Sequence, residues 1–492
     1  MRTSVNALIL FVLIVGLFFL QCDRKTQPAN PNNPPNTTLA NIPLDGDTLF
    51  ALQTLHWDGE DYDGFIAGYQ YRYITHHLLK GDSLVQPWKD TVATSVTIPF
   101  ESSDLLNYQR FQVRAVDDAG DVDPEPAEKR FYTVQTIFPE TRIIVPARNQ
   151  QFFIIDHITD WWQGVPLAFE ATDEDGEVVE YGWAVDDTVW NWTQDTALFI
   201  PPQYFQPLDG IHTIRVTARD NTNLVDPVGA EVKVKLINPS FAKDILIVDE
   251  TDESKFPSGM SFTDAEVDSF YARVFGIHDQ WDYFKQDTIP KPPPKEILGQ
   301  YKLLVWHADN YYTSDIDVHR IPRHTDYLID YLNVGGDFIM SGWRILKSFA
   351  QTEPFPKTFE EGTFIRDYLH IMNADESYPI ADFDSATGWS GFSGINMNVD
   401  VAKLSLSFLT SIPRIGLPYI NVMPNPQASF TDIILLYAND PQSPFTDYRN
   451  SPVGLRYYGS SFDSIVLGFP LFFMQEDQVK VFTQKMLRSL GY

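Results

Sequence analysis

Ser341 is the residue whose type and context come closest to a nucleophile. It lies in Tyr331-Leu-Asn-Val-Gly-Gly-Asp-Phe-Ile-Met-Ser-Gly-Trp343, which reads as a helix end, a Gly335-Gly336 stop and a short buried strand broken at Ser341-Gly342. A serine on a strand-to-helix turn can attack if backbone N–H groups stand behind it and a histidine takes its proton. No motif singles out that histidine among His307, His319, His324 and His370, although His307-Ala-Asp-Asn310 ends another predicted strand and is the best second contributor to a pocket. Gly-x-Ser-x-Gly is absent, because Ile339-Met-Ser-Gly-Trp343 lacks both flanking glycines. The plainer expectation is that Ser341 and Gly342 let the chain turn beside Trp343.

Two further sets of side chains could bind ligands. Asp61, Asp63 and Asp123, and their counterparts Asp173, Asp175 and Asp226, carry the clustered carboxylate oxygens that Ca²⁺ takes, although neither copy is an EF-hand loop. Asp-Gly is also a plain turn former, so a structural role is the competing expectation. Calcium is the one cofactor the sequence leaves open. His307, Asp309, His319 and His324 lack His-x-x-x-His spacing, and Pro322 separates the last two, so no transition-metal site is expected. Trp161-Trp162, Trp190-Asn-Trp192 and Tyr311-Tyr312 could stack on sugars, but aromatics in strands more often build cores.

These residues sit in a chain of 492 residues, enough for two to four domains. With 43% hydrophobic and 21% charged residues its composition is globular. Acidic residues outnumber basic ones 66 to 36, a formal charge of −30, which repels nucleic acid and anionic headgroups. At the N-terminus Arg2 precedes an apolar run from Ala7 to Leu20, the length of a secretory h-region, ending at Phe19-Leu-Gln-Cys22. Cys22 is the only cysteine, which excludes an intramolecular disulfide and leaves the domains to hold by packing. The alternative for this segment is an uncleaved anchor with an incidental cysteine. Residues 23–38, rich in Pro and Asn, have almost nothing apolar to bury and read as a disordered tether.

From 39 to 136 the chain alternates as short strands, among them Phe65–Tyr73 and Arg110–Val116. Residues 137–238 repeat the design. Asp61-Tyr-Asp-Gly64 matches Asp173-Glu-Asp-Gly176, and Val122-Asp-Pro124 matches Val225-Asp-Pro227, which predicts tandem β-sandwiches. From 239 to 492 the pattern changes. The continuous apolar runs Ile245–Val248, Lys302–His307 and Phe338–Met340 alternate with helical stretches near 264–276, 325–333, 364–369 and 475–490. That predicts a parallel α/β sheet, with late strands at 453–458 and 464–469 and an irregular insertion near 378–452.

Several stretches resemble known families. Phe19-Leu-Gln-Cys22 resembles the lipobox of bacterial lipoproteins, with Phe19 and Gln21 where Leu and a small residue are usual; the resemblance implies acylation of Cys22 and a lipid-anchored place in the cell envelope. Trp57-Asp-Gly-Glu-Asp-Tyr-Asp-Gly-Phe-Ile-Ala-Gly-Tyr-Gln-Tyr71 with Phe111–Pro124 resembles fibronectin type III-like modules, and Ala171–Trp183 a related immunoglobulin-like or PKD-like module. Ile245-Leu-Ile-Val-Asp249, Tyr301–Trp306, Tyr331–Gly342 and Gly468-Phe-Pro470 resemble the class I glutamine amidotransferase-like superfamily, ThuA-like members included. This implies a flavodoxin-like α/β fold, but the family's nucleophilic cysteine is missing from the Ser341-Gly342 position. The expectation is a multidomain, non-catalytic envelope lipoprotein with an envelope protein or glycan as partner. The alternative is an exported glycan or ester hydrolase with Ser341 and His307 in its pocket.

Overall fold

The computed structural model describes residues 31–492 except 41–43, 101–105, 135–136, 156–161, 175, 222, 253, 255–261, 286–288, 311–318, 378–381, 405–415 and 427–430. The leader, Cys22, Trp161, Asp175 and Tyr311-Tyr312 therefore lie outside the described residues. Among the described residues no helix is long and apolar enough to cross a membrane.

The protein is multidomain and mostly β-sheet. In the first sandwich, strands Asn36–Leu39, Leu52–Glu60 and Ser95–Pro99 form one sheet, and the other is built around Ile66–His77, Leu106–Asp117 and Ala127–Val134. Alternation sets the core here. Phe111, Val113 and Ala115 point inward from one strand to meet Leu55, Trp57, Tyr69 and Phe131, and each is at most 6% exposed. The second sandwich pairs Glu140–Val145, Val165–Thr172 and Ala197–Ile200 against a five-stranded sheet centred on Gly210–Asp220, with Val165, Leu167, Phe169, Ile214 and Val216 in its core.

The repeat extends to single hydrogen bonds. The Asp123 carboxylate accepts from the Thr37 N–H at 2.7 Å, and Asp226 accepts from Thr141 at 2.9 Å, so each tethers the first strand of its sandwich. The Asp-Gly pairs are constrained too. A Cβ on Gly64 would lie 2.5 Å or less from oxygens of Asp61 and Asp118, and one on Gly176 would lie 2.6 Å from oxygens of Asp173 and Asn221.

The second sandwich is fused to the C-terminal region. Phe153, Ile155 and Ile237 share one core with Leu298, Tyr301 and Leu304, and Lys235 pairs with Glu296 at 2.6 Å. Burying each such side chain contributes about 1.5–3 kcal/mol, so this junction is a packed interface rather than a hinge.

The C-terminal region has a small sheet of Lys357–Thr358, Asn373–Glu376 and Asn421–Val422 and a main nine-stranded sheet in the order Asp279–Asp282, Lys243–Asp249, Tyr301–Ala308, Asp337–Gly342, Asp463–Leu467, Pro452–Tyr458, Thr431–Asn439, Phe383–Gly388 and Asn396–Asn398. The first five are parallel, and the remainder pair antiparallel. The expected parallel sheet is thus only half of the sheet. The other half draws three strands from the stretch read as an irregular insertion, whose Ile433-Ile-Leu-Leu-Tyr437 is a buried strand flanked by Pro- and Ser-rich sequence.

Within the parallel half the apolar runs face two cores. Ile245 and Ile247 pack under helices Asp264–Phe275 and Glu476–Leu490, while Leu246 and Val248 face helix Thr325–Asn333. Helix Asp264–Phe275 starts on a capping box, Thr263 bonding the Glu266 N–H and Glu266 returning to the Thr263 N–H. The 364–369 helix shortens to the single turn Phe364–Asp367.

Candidate functional site

The parallel strands end together at Asp249, Ala308 and Gly342, with chemistry-bearing residues at or just beyond each end. The break expected at Ser341-Gly342 does not occur there. Both residues stay in the strand, Ser341 in register with His307 and Gly342 with Ala308. Gly342 is needed because a Cβ would approach the Ala308 carbonyl to 2.7 Å. The elbow comes two residues later, at Arg344, whose φ of 58° is left-handed. Arg344 is held there by a two-bond pair with Glu376, 2.9 Å each, and by the Tyr419 ring.

Register therefore brings Ser341 and His307 side by side, yet the serine hydroxyl and His307 Nδ1 bond other groups, and His307 Nε2 makes no hydrogen bond. The Ser341 hydroxyl donates to the Phe469 carbonyl at 3.1 Å. His307 Nδ1 faces the Asp309 carboxylate at 3.1 Å, and Nε2 faces Asp249 at 3.4 Å. Its ring stacks on Tyr271, with centroids 3.7 Å apart and planes 13° from parallel. Burial pulls the imidazole toward neutrality, but Asp249 and Asp309 outweigh it and hold its pKa above the ordinary value. Both Ser341 and His307 are 0% exposed.

Cover over these strand ends comes from several elements. Asn310 locks the two loops together, accepting from the Asp252 N–H and donating to the Asp252 carbonyl. Trp343 Nε1 donates to the Pro418 carbonyl at 2.8 Å, and Asn421 accepts the Leu346 N–H at 2.9 Å. Glu250 is buried against three donors, Trp306 Nε1 at 2.8 Å, Ile321 N–H at 3.1 Å and Arg320 N–H. Burial pushes its carboxyl up to about 7 despite them. Two clefts of this region, about 450 Å³ beside Ile329 and Phe364 and about 390 Å³ beside Phe270 and Lys403, are lined by neither Ser341 nor His307.

The other candidate histidines scatter. His319 Nε2 donates to the Trp343 carbonyl at 2.6 Å, and burial drives its pKa down to about 4. His324 bonds the Tyr283 hydroxyl at 2.8 Å and is likewise lowered to about 4 by burial. His370 stacks on Tyr457. Among the described residues no histidine joins a ligand group with the others.

Nor are the sandwich aspartates gathered. Asp123 is occupied by the N–H groups of Thr37 and Glu125, Asp226 by those of Thr141, Val228 and Gly229, and Asp63 accepts from Asn33. Of the aromatic candidates, Trp192 lies under the Arg219 guanidinium at 4.0 Å, and Trp162 packs against both the second sandwich's core and the core it shares with the C-terminal region.

A different group is not apparent from local sequence. Asp249, Asp264 and Asp282 each bring one oxygen within 4.8 Å of the others, and among the described residues no other set of His, Cys, Asp or Glu does so. They come from a strand end, a helix N-terminus and the edge strand, so only the fold assembles them. The visible signals are Asp249 directly after the apolar run and Asp264 with Asp268 at i, i+4. Burial holds the Asp249 carboxyl well above the carboxylate range, with His307 and the Thr251 N–H opposing it.

No family model matches this chain, and no curated protein matches it. Solved structures that it resembles include the fibronectin(III)-like modules of CbhA from Clostridium thermocellum, with 15% identity over 41% of this chain and 95% of that one and a TM-score of 0.20. The FN1–FN3 domains of chicken CNTN1 follow the same pattern, with 12% identity, 42% and 65% coverage and a TM-score of 0.19. So does a 1.5-MDa bacterial ice-binding adhesin, with 8% identity, 44% and 73% coverage and a TM-score of 0.17. At such scores the strand pairing described above, and not the likeness, carries the sandwich assignment.

Proposed function

We propose that this chain is a non-catalytic, lipid-anchored protein of the bacterial cell envelope. In this reading acylated Cys22 and a tether, cut short of residue 38 because Asn36–Leu39 is already a strand of the first sandwich, hold tandem fibronectin type III-like and immunoglobulin-like sandwiches. These form a stalk presenting a flavodoxin-like domain, a degenerate relative of the class I glutamine amidotransferases, to an envelope protein or glycan. The observation that carries the non-catalytic part is the commitment of Ser341 and His307. A general base needs a nitrogen directed at the nucleophile's proton, and both nitrogens of His307 face aspartates while the serine hydroxyl serves the Phe469 carbonyl. The packed junction through Phe153 and Ile237 supports the stalk, because it fixes the last domain rigidly on the second sandwich.

The hydrolase alternative keeps one point in its favour, the side-by-side register of Ser341 and His307. It would require both side chains to leave their present partners and the strand ends to open. The anchoring part is tested by intact mass of the full chain extracted from membranes. The reading requires loss of residues 1–21 and a diacylglyceryl thioether on Cys22, and release of the protein from membranes by Cys22→Ala. Retention of Met1 with a free Cys22 thiol would remove it.

A further inference from the structure

The acidic group at the mouth of the strand ends has more negative charge than the protein around it balances. Asp249 is 0% exposed and Asp264 7% exposed, and Asp282 on the edge strand closes the set. Asp268, one helical turn beyond Asp264, faces Asp249 as well. The single ammonium close by among the described residues is that of Lys285, which pairs with Asp264 and, at 2.7 Å, with Asp282. Its side chain is 63% exposed, so it can swing away into solvent. His307 does not make up the deficit, since it is shared between Asp249 and Asp309.

A second feature points to a missing ligand. The Oδ1 atom of Asp249 accepts the Thr251 N–H at 2.8 Å, but Oδ2, in the same fully buried carboxyl group, finds no N–H or hydroxyl donor, and the side chain that bonds Asp249 is a second acid, Asp268. A buried acceptor without a donor is costly, and two facing carboxylates need a proton or a cation between them. Three carboxylate oxygens within 4.8 Å of one another suit a hard cation, because Ca²⁺ with oxygens at about 2.3–2.6 Å reaches ligands up to about 5 Å apart. Neither sulfur nor imidazole belongs to the set, so the donors match a hard cation better than a softer metal.

We infer that Asp249, Asp264 and Asp282 form a binding site for a hard divalent cation of the Ca²⁺ class, with Lys285 as the charge that occupies the mouth when the cation is absent. Cation entry displaces the ammonium, ties the edge strand to the helix Asp264–Phe275 and neutralises the strand ends. The inference is independent of the anchoring and platform reading, which stands or falls on other measurements.

Calorimetric titration of the full chain in detergent with Ca²⁺, and separately with Mg²⁺, at fixed ionic strength tests it. Removing the competing ammonium with Lys285→Met is expected to tighten one Ca²⁺-binding event by about tenfold, while Asp282→Asn and Asp264→Asn weaken the same event at least tenfold. Any binding in the sandwich loops is indifferent to Lys285→Met, which identifies the event that counts. Lys285→Met replaces a mostly exposed side chain, so its folded state, checked by circular dichroism, keeps the test usable even if Asp264→Asn fails to fold. Unchanged or weakened Ca²⁺ binding in folded Lys285→Met would overturn the site. The three aspartates would then be ion-pair partners of Lys285 with a proton shared between Asp249 and Asp268.

Discussion

Asp226 in the second sandwich and Asp249 at the first strand end of the C-terminal region are both withdrawn from water, at 9% and 0% exposure, and they meet that burden differently. Burial raises both. At Asp226 the N–H groups of Gly229, Thr141 and Val228 more than compensate and hold the carboxyl below its ordinary range. At Asp249 they do not, and the group stays well above it. A buried carboxylate saturated by backbone donors is a fastener, and one left short of donors marks a place where the protein expects something else. Glu250, next in the chain to Asp249, lies between the two: it has three donors like Asp226, yet its deeper burial still pushes it up to about 7.

The largest effect that would sharpen this contrast is at Asp226. Asp226→Ala strands the buried Thr141 N–H and the part-buried N–H groups of Val228 and Gly229, and is expected to cost about 3–4 kcal/mol of the second sandwich's stability in urea unfolding, with no rescue by calcium. Because its folded pKa is depressed, the contribution is present above the unfolded value near 4 and lost as pH falls through the folded one, so the cost of the substitution shrinks below about pH 4. A neutral effect at neutral pH would break the comparison.

Glu250→Gln comes next. The amide would turn an N–H toward donors that need an acceptor, and a loss of about 2–3 kcal/mol is expected, read as destabilisation of the C-terminal region alone. His319 then provides a pH-dependent case within the same region. Its folded pKa of about 4 lies below the unfolded value, so the neutral ring's contribution is lost as pH falls from about 6.5 toward 4. The stability gap between the natural chain and His319→Gln should therefore narrow by about 2–3 kcal/mol between about pH 7 and about pH 4.5. A gap independent of pH would contradict the burial of a neutral imidazole. Smallest is Ser341→Ala, which removes one hydrogen bond to Phe469 and is expected to cost about 1 kcal/mol.

Much of the frame was legible because local pattern and packing agree. Ile245–Val248 and Lys302–His307 are apolar on both faces, and both faces are covered. Thr325–Asn333 is a helix over the residues expected. The paired Val-Asp-Pro motifs mark matching tethers in the two sandwiches. Illegible were features set by distant chain segments. Phe383–Gly388 and Thr431–Asn439 are strands because a neighbouring strand accepts them, and their flanking Pro and Ser residues hid them. The elbow moved to Trp343-Arg344 because Ser341 and Gly342 are gripped by parallel neighbours. Asp249, Asp264 and Asp282 are scattered in sequence and meet only through the order of strands. Phe153 and Ile237 looked like ordinary sandwich residues, and nothing local reveals that they pack on another domain.

Closure of the strand ends to chemistry is the central claim. The direct measurement is turnover of ester and glycoside substrates by the full chain beside Ser341→Ala, with both proteins shown to be folded. No turnover above the Ser341→Ala background is the result that closure requires. Hydrolysis by the natural chain that disappears in folded Ser341→Ala would contradict it.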